Sequence, residues 1–100
     1  MRCQIVYWQE IPSLVEVRQG RKVVHKQMLS ERFQALIDTV AMKTGLEGTD
    51  AYLEQWRKEP VTAPDADSPQ ALAETVAGGL EDSFRDIRDK AMSAIAQDNA

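Results

Sequence analysis

The sequence predicts an α+β domain: a three-stranded antiparallel β-meander, then an αα-hairpin, then a C-terminal amphipathic helix. Three observations predict it. Val15 and Val17 alternate with Glu16 and Arg18, the period-two pattern of a half-buried strand. Phe33, Leu36, Ile37, Val40 and Ala41 recur at three- and four-residue steps, the stripe of an amphipathic helix. A second long stripe, Leu72, Val76, Leu80, Phe84, Ile87, Ala91 and Ile95, stands apart behind a stretch rich in proline and aspartate.

The first strand is expected over residues 3–8, where Ile5, Val6, Tyr7 and Trp8 have high β-propensity. Pro12 then punctuates the chain and disfavours helix at Ile11. The second strand spans 14–18 and the third 22–29, joined by a tight turn in which Gly20 is free to take a positive φ. On the third strand Val24, Lys26 and Met28 share one face, and Val23, His25 and Gln27 share the other. Ser30 is an N-cap candidate for a helix over 31–44, with Glu31 in the first turn and Gly45 at the end. Thr49 caps a second helix over 50–58, in which Tyr52, Leu53 and Trp56 fall on one face. Together 1–59 form the α+β domain, and 60–68 read as an exposed linker. Ser68 and Pro69 open the last helix, 69–97, with a kink or a close backbone approach expected at Gly78-Gly79. This helix folds back on the domain, packs against another chain, including a second copy in a homodimer, or stays partly disordered, because a lone amphipathic helix is marginal in water.

Composition is that of an ordinary globular chain: 100 residues, 43% hydrophobic and 28% charged. No apolar run reaches the roughly 20 residues of a membrane helix. The N-terminal stretch reads as a strand, and there is a single cysteine, Cys3. The expectation is therefore a cytoplasmic protein without a membrane partner. The net charge of −4 is unevenly spread. Residues 1–30 carry five basic and two acidic side chains, 31–59 four and six, and 60–100 three and eight. The basic hairpin, Arg18, Arg21, Lys22 and Lys26, either pairs with the acidic tail or docks an anionic partner. Overall acidity argues against nucleic acid, whose affinity depends on neutralising phosphates.

The motif content points away from catalysis. The chain has no P-loop, no GxGxxG, no HExxH and no CxxC. Cys3 and His25 form a nucleophile pair only if their strands adjoin, and nothing in the sequence orients them. They supply two metal ligands where three or four are needed. Asp82, Asp86 and Asp89 alternate with Arg85, Arg88 and Lys90, the pattern of a solvated, ion-paired helix face. No metal, no cofactor and no catalytic residue is therefore expected. Tyr7, Trp8, Tyr52 and Trp56 serve either as core packing or, with Arg57 beside Trp56, as an interface anchor.

Tyr7-Trp8-x-x-Ile11-Pro12 and Gly48-Thr49-Asp50-x-Tyr52-Leu53 carry a resemblance. With Val15-Glu16-Val17, Gly20-Arg21, Glu31-Arg32-Phe33-Gln34, Ile37-Asp38, Ala41-Met42 and Trp56-Arg57, residues 4–58 resemble a family of short bacterial proteins and domains labelled "virulence factor". Residues 60–100 are expected to lie outside that resemblance. The label implies no mechanism and no catalytic residues. It implies an association with folate- and corrinoid-dependent methyltransferase components, which would make this chain an accessory subunit of one-carbon metabolism. The leading expectation is a non-catalytic accessory or adaptor domain whose partner-binding residues are Tyr7, Trp8, Tyr52, Trp56, Arg18, Arg21, Lys22 and Lys26. The alternative is a subunit contributing to a small-molecule site, for a folate or a corrinoid. Nucleic-acid binding through the hairpin is a third reading.

Overall fold

Only Gln9 and Glu10 separate the strand Arg2–Trp8 (β1) from Ile11–Gln19 (β2), so the two fold back on each other. Gln9 makes that turn with φ at 54°, a left-handed conformation uncommon for a residue with a side chain. The turn to Lys22–Met28 (β3) uses Gly20 at φ 60°, which costs glycine nothing. The structure is a computed structural model that describes residues 1–62 and 65–98. It is an α+β fold built on an antiparallel sheet with several helices.

The helices are Glu31–Lys43 (α1), Asp50–Glu54 (α2), Pro69–Asp82 (α3) and Phe84–Asp98 (α4). A fourth strand, Trp56–Val61 (β4), follows α2. The sheet order is β3-β2-β1-β4, with every neighbour antiparallel. The sheet therefore has four strands, where the sequence predicts three.

The expected helix over 50–58 stops at Glu54, and the chain from Trp56 is strand rather than helix or linker. Without β4, one edge of β1 would present a row of unpaired backbone groups. Pairing Cys3 to Trp8 against Val61 to Trp56 satisfies them. Pro60 is tolerated because β4 is itself an edge strand, where a missing donor costs little. The predicted αα-hairpin is thus absent: α2 has five residues, none fully buried. Of the predicted linker, 60–61 belong to β4, Ala63 and Pro64 lie outside the described residues, and 65–68 lead into α3.

The C-terminal stripe is two helices that fold back on the sheet. Gly78-Gly79 lie inside α3, which runs without interruption to Asp82; the break comes at Ser83. A methyl group at either glycine would meet nothing within 4 Å among the described residues, so no second backbone packs against that side of them. Continuity follows from packing: Leu72, Ala73 and Ala77 are buried, with α3 lying against β2 and β3. At Ser83 the amide donates back to the Gly79 and Leu80 carbonyls, while its own carbonyl accepts from Ile87 and starts α4.

The core joins Cys3, Ile5, Val15 and Val17 of the sheet to the full α1 stripe and to Leu72, Ala73 and Ala77 of α3. Trp8, Ile11 and Phe33 are almost completely buried. Ser30 does cap α1, but its side chain accepts no backbone amide. Instead its hydroxyl and its amide both donate to the Glu81 carboxylate, each at 2.7 Å. An acidic side chain from the end of α3 thus holds the start of α1.

Candidate functional site

Two surfaces gather the polar groups, and β4 contributes to both. The first is the open face of the sheet, where side chains alternate outward along each strand. The register places Pro60, Gln4, Glu16 and Lys26 in one cross-strand row. Lys58, Val6, Leu14 and Met28 form the next row, and Arg2 pairs with Arg18 beyond Gln4. Met28 is 62% exposed. Glu16 is only 4% exposed because its row closes over it. Gln4 Nε2 donates to it at 2.7 Å, Lys58 Nζ stands at 3.2 Å, and Lys26 Nζ at 3.8 Å. Burial pushes the Glu16 carboxyl up, but the Gln4 and Lys58 hydrogen bonds and both lysine charges outweigh it and hold it below 4.5.

At the hairpin end of this face, Arg2, Arg18 and Arg21 line a hollow of about 310 Å³ with Gln4, Gly20 and Pro60. Arg18 donates to the Arg21 carbonyl at 3.1 Å, which fixes the two side by side. Among the described residues, none of Arg2, Arg18, Arg21 and Lys22 has a carboxylate within ion-pair distance.

The second surface is a cleft of about 760 Å³ between α4 and the β1–β4 side of the sheet. Its walls are apolar: Ile11, Val40, Val61, Leu80, Ile87 and Ile95. Tyr7, Arg57, Glu10, Glu59 and Lys90 stand among them. The Arg57 guanidinium lies 4.5 Å from the Tyr7 ring centroid, in cation–π contact. It donates to the Gln9 carbonyl at 3.1 Å and pairs with Glu59 and, at 3.4 Å, with Glu10. Burial is the main cause that raises the Tyr7 hydroxyl pKa, with the Glu59 and Glu10 charges adding to it and Arg57 opposing.

The residues singled out from sequence divide between these places. Arg18 and Arg21 meet in the hairpin hollow, Lys26 is tied to Glu16, and Lys22 is exposed nearby. Tyr7 lines the cleft. Trp8 belongs to the core: it is 0% exposed, its Nε1–H donates to the Tyr52 carbonyl at 2.9 Å, and its ring lies 5.2 Å from that of Tyr52. Tyr52 and Trp56 are half-buried and meet edge to face at 6.3 Å. The aromatic group is therefore not one exposed anchor. Sequence reasoning missed Arg2 and Lys58 on the open face, and Glu10, Glu59 and Lys90 in the cleft. Residues 56–61 carry no apolar–polar alternation, so the sequence held no period-two signal for β4. Cys3 and His25 are not neighbours, because Val17 of β2 stands between them. Burial raises the Cys3 thiol pKa, the opposite of an activated nucleophile. His25 Nε2 is buried without a hydrogen-bond partner among the described residues.

The sequence profile of one family, described as "Virulence factor", matches residues 6–93. The chain belongs to the virulence factor family. The match takes in β4, α3 and most of α4, so the C-terminal helices are part of the family's domain and not, as expected from the sequence, outside it. No curated protein and no solved structure matches the chain. No helix among the described residues is long and apolar enough to cross a membrane.

Proposed function

We propose that this virulence factor domain is a non-catalytic adaptor that docks an acidic segment of a protein partner on the open face of its sheet. One observation carries the reading. Arg2, Arg18 and Arg21 converge at one end of that face with Lys22 on the same hairpin, none of them with a carboxylate partner among the described residues, in a chain whose net charge is −4. Uncompensated cations on an acidic protein act as a local field that selects an acidic partner. The adjacent row of Val6, Leu14 and exposed Met28 adds apolar contact area beside them. The raised Cys3 pKa and its separation from His25 support a binding role over nucleophilic chemistry. The resemblance implies the finer form of the reading, in which the partner is a component of folate- or corrinoid-dependent methyl transfer.

The test is direct titration of the full chain with a fluorescent glutamate-rich peptide and with a single-stranded oligonucleotide of equal charge. The expected result is peptide binding that weakens steeply with salt and is lost in Arg18→Glu/Arg21→Glu, while Trp56→Phe retains it. Failure of the charge reversal to weaken binding, or preference for the oligonucleotide, overturns the reading. Purified methyltransferase and folate-enzyme components, titrated the same way, test the finer form.

A further inference from the structure

The cleft beneath α4 is independent of the basic face and offers a different chemistry. Its volume, about 760 Å³, falls within the roughly 300–1,000 Å³ of small-molecule sites. Leu80, Ile87 and Ala91 of the two C-terminal helices are only half-buried against the core, so apolar surface remains uncovered on the cleft wall. Within the cleft the charges divide into used and unused. Arg57 is committed to Glu10, Glu59 and the Gln9 carbonyl. Lys90 has no carboxylate partner among the described residues, and the Tyr7 hydroxyl makes no hydrogen bond among them. Tyr7 stands beside the Glu10 and Glu59 charges, so Lys90 is the group at the apolar wall that matches a ligand with an apolar body and one anionic oxygen acid.

We infer that the cleft binds a small amphipathic carboxylate, its hydrocarbon body against Leu80, Ile87 and Val61 and its carboxylate on Lys90. The ammonium supplies a charge-assisted hydrogen bond, the stronger kind. A neutral ligand of the same body would lose that charge assistance and keep the apolar contact.

Decanoate and decanol, titrated calorimetrically into the full-length chain, separate the body from the head group. The expected result is one saturable decanoate site per chain and at least about fivefold weaker decanol. Lys90→Glu should weaken decanoate by about tenfold and leave decanol unchanged. Ala91→Trp, which fills the cleft, should abolish both. Should Ala91→Trp not fold by circular dichroism, Ala94→Trp on the same wall serves instead. Absence of saturable decanoate binding overturns the inference, as does binding that neither tryptophan variant reduces. Equal affinity for decanoate and decanol overturns the assigned head group. None of these results depends on the acidic-partner reading, since the hairpin arginines are untouched.

Discussion

Replacing Glu81 by alanine removes a tie between the end of α3 and the start of α1. Its carboxylate accepts from the Ser30 amide and hydroxyl at 2.7 Å each, and from Arg32 Nε and Nη2 at 3.2 and 3.1 Å. A further bond, from Arg32 Nη2 to the Glu81 carbonyl, survives the substitution. The Ser30 bonds do the work of an N-cap, which is worth about 1 kcal/mol. The Arg32 pair is discounted for solvent, because the side chains are 49% and 29% exposed; such a pair contributes about 0.5–1 kcal/mol. The expected loss is therefore about 2 kcal/mol, or about 8–16 °C in Tm for a domain of this size. Glu81→Gln keeps a neutral acceptor for Ser30 and should lose about half as much. Arg32→Ala should cost additionally, since its guanidinium also lies 4.5 Å from the Phe84 ring centroid.

The pH dependence supplies an independent check. Burial favours the protonated Glu81, but the Ser30 and Arg32 hydrogen bonds outweigh it and lower the pKa below its ordinary 4.5. A carboxyl with a depressed folded pKa stabilises the fold above its unfolded value, and that stability is lost as pH falls through the folded one. Thermal melts of the wild type should therefore fall steeply below about pH 4.5, and those of Glu81→Ala less steeply. Glu16, lowered in the same sense, leaves a residual slope in the variant. A Tm loss under about 2 °C for Glu81→Ala, with an unchanged acid slope, would refute the assignment of Glu81 as the α1 cap.

Two further predictions concern backbone. Gly78→Ala and Gly79→Ala should each stabilise the fold by about 0.5–1 kcal/mol in urea unfolding, because both sit inside α3 with open space where a methyl group would go; destabilisation by either would mean the helix breaks there after all. Gln9→Gly should also stabilise, by up to about 1 kcal/mol, by relieving a side chain held at φ 54°; a loss of stability would mean the Gln9 side chain contributes more than its strained backbone costs.

Elements whose pattern reflects their own burial were legible. Val15 and Val17 are buried as their alternation requires, and every member of the α1 stripe is in the core. The Gly20 hairpin was legible for a local reason, since a positive φ selects glycine. β4 was not, because Trp56 falls four residues after Tyr52 and mimics a helical stripe, while Pro60 argues against a central strand. What makes it a strand is the unpaired edge of β1, roughly fifty residues earlier in the chain. The break at Ser83 was similarly hidden: glycine propensity favours interruption at 78–79, and packing of Leu72 and Ala77 overrides it. The basic hairpin was legible as charge, whereas the cleft needed β4 and α4 placed first.

β4 also explains why two unlike surfaces can coexist on so small a domain. In a strand, successive side chains point to opposite faces. Lys58 belongs to the open-face rows that enclose Glu16, Arg57, Glu59 and Val61 line the cleft, and Pro60 at the sheet edge borders both. A one-residue slip of β4 against β1 would exchange the two sets. It would bring Lys58 toward the apolar wall and leave Glu16 without its nearer lysine, a buried carboxylate with one cation fewer. Register is therefore held from both sides, by the Lys58–Glu16 pair on the open face and by Arg57, which donates to the Gln9 carbonyl and pairs with Glu10, on the other. The strand that the local sequence conceals is the one whose placement both candidate surfaces require.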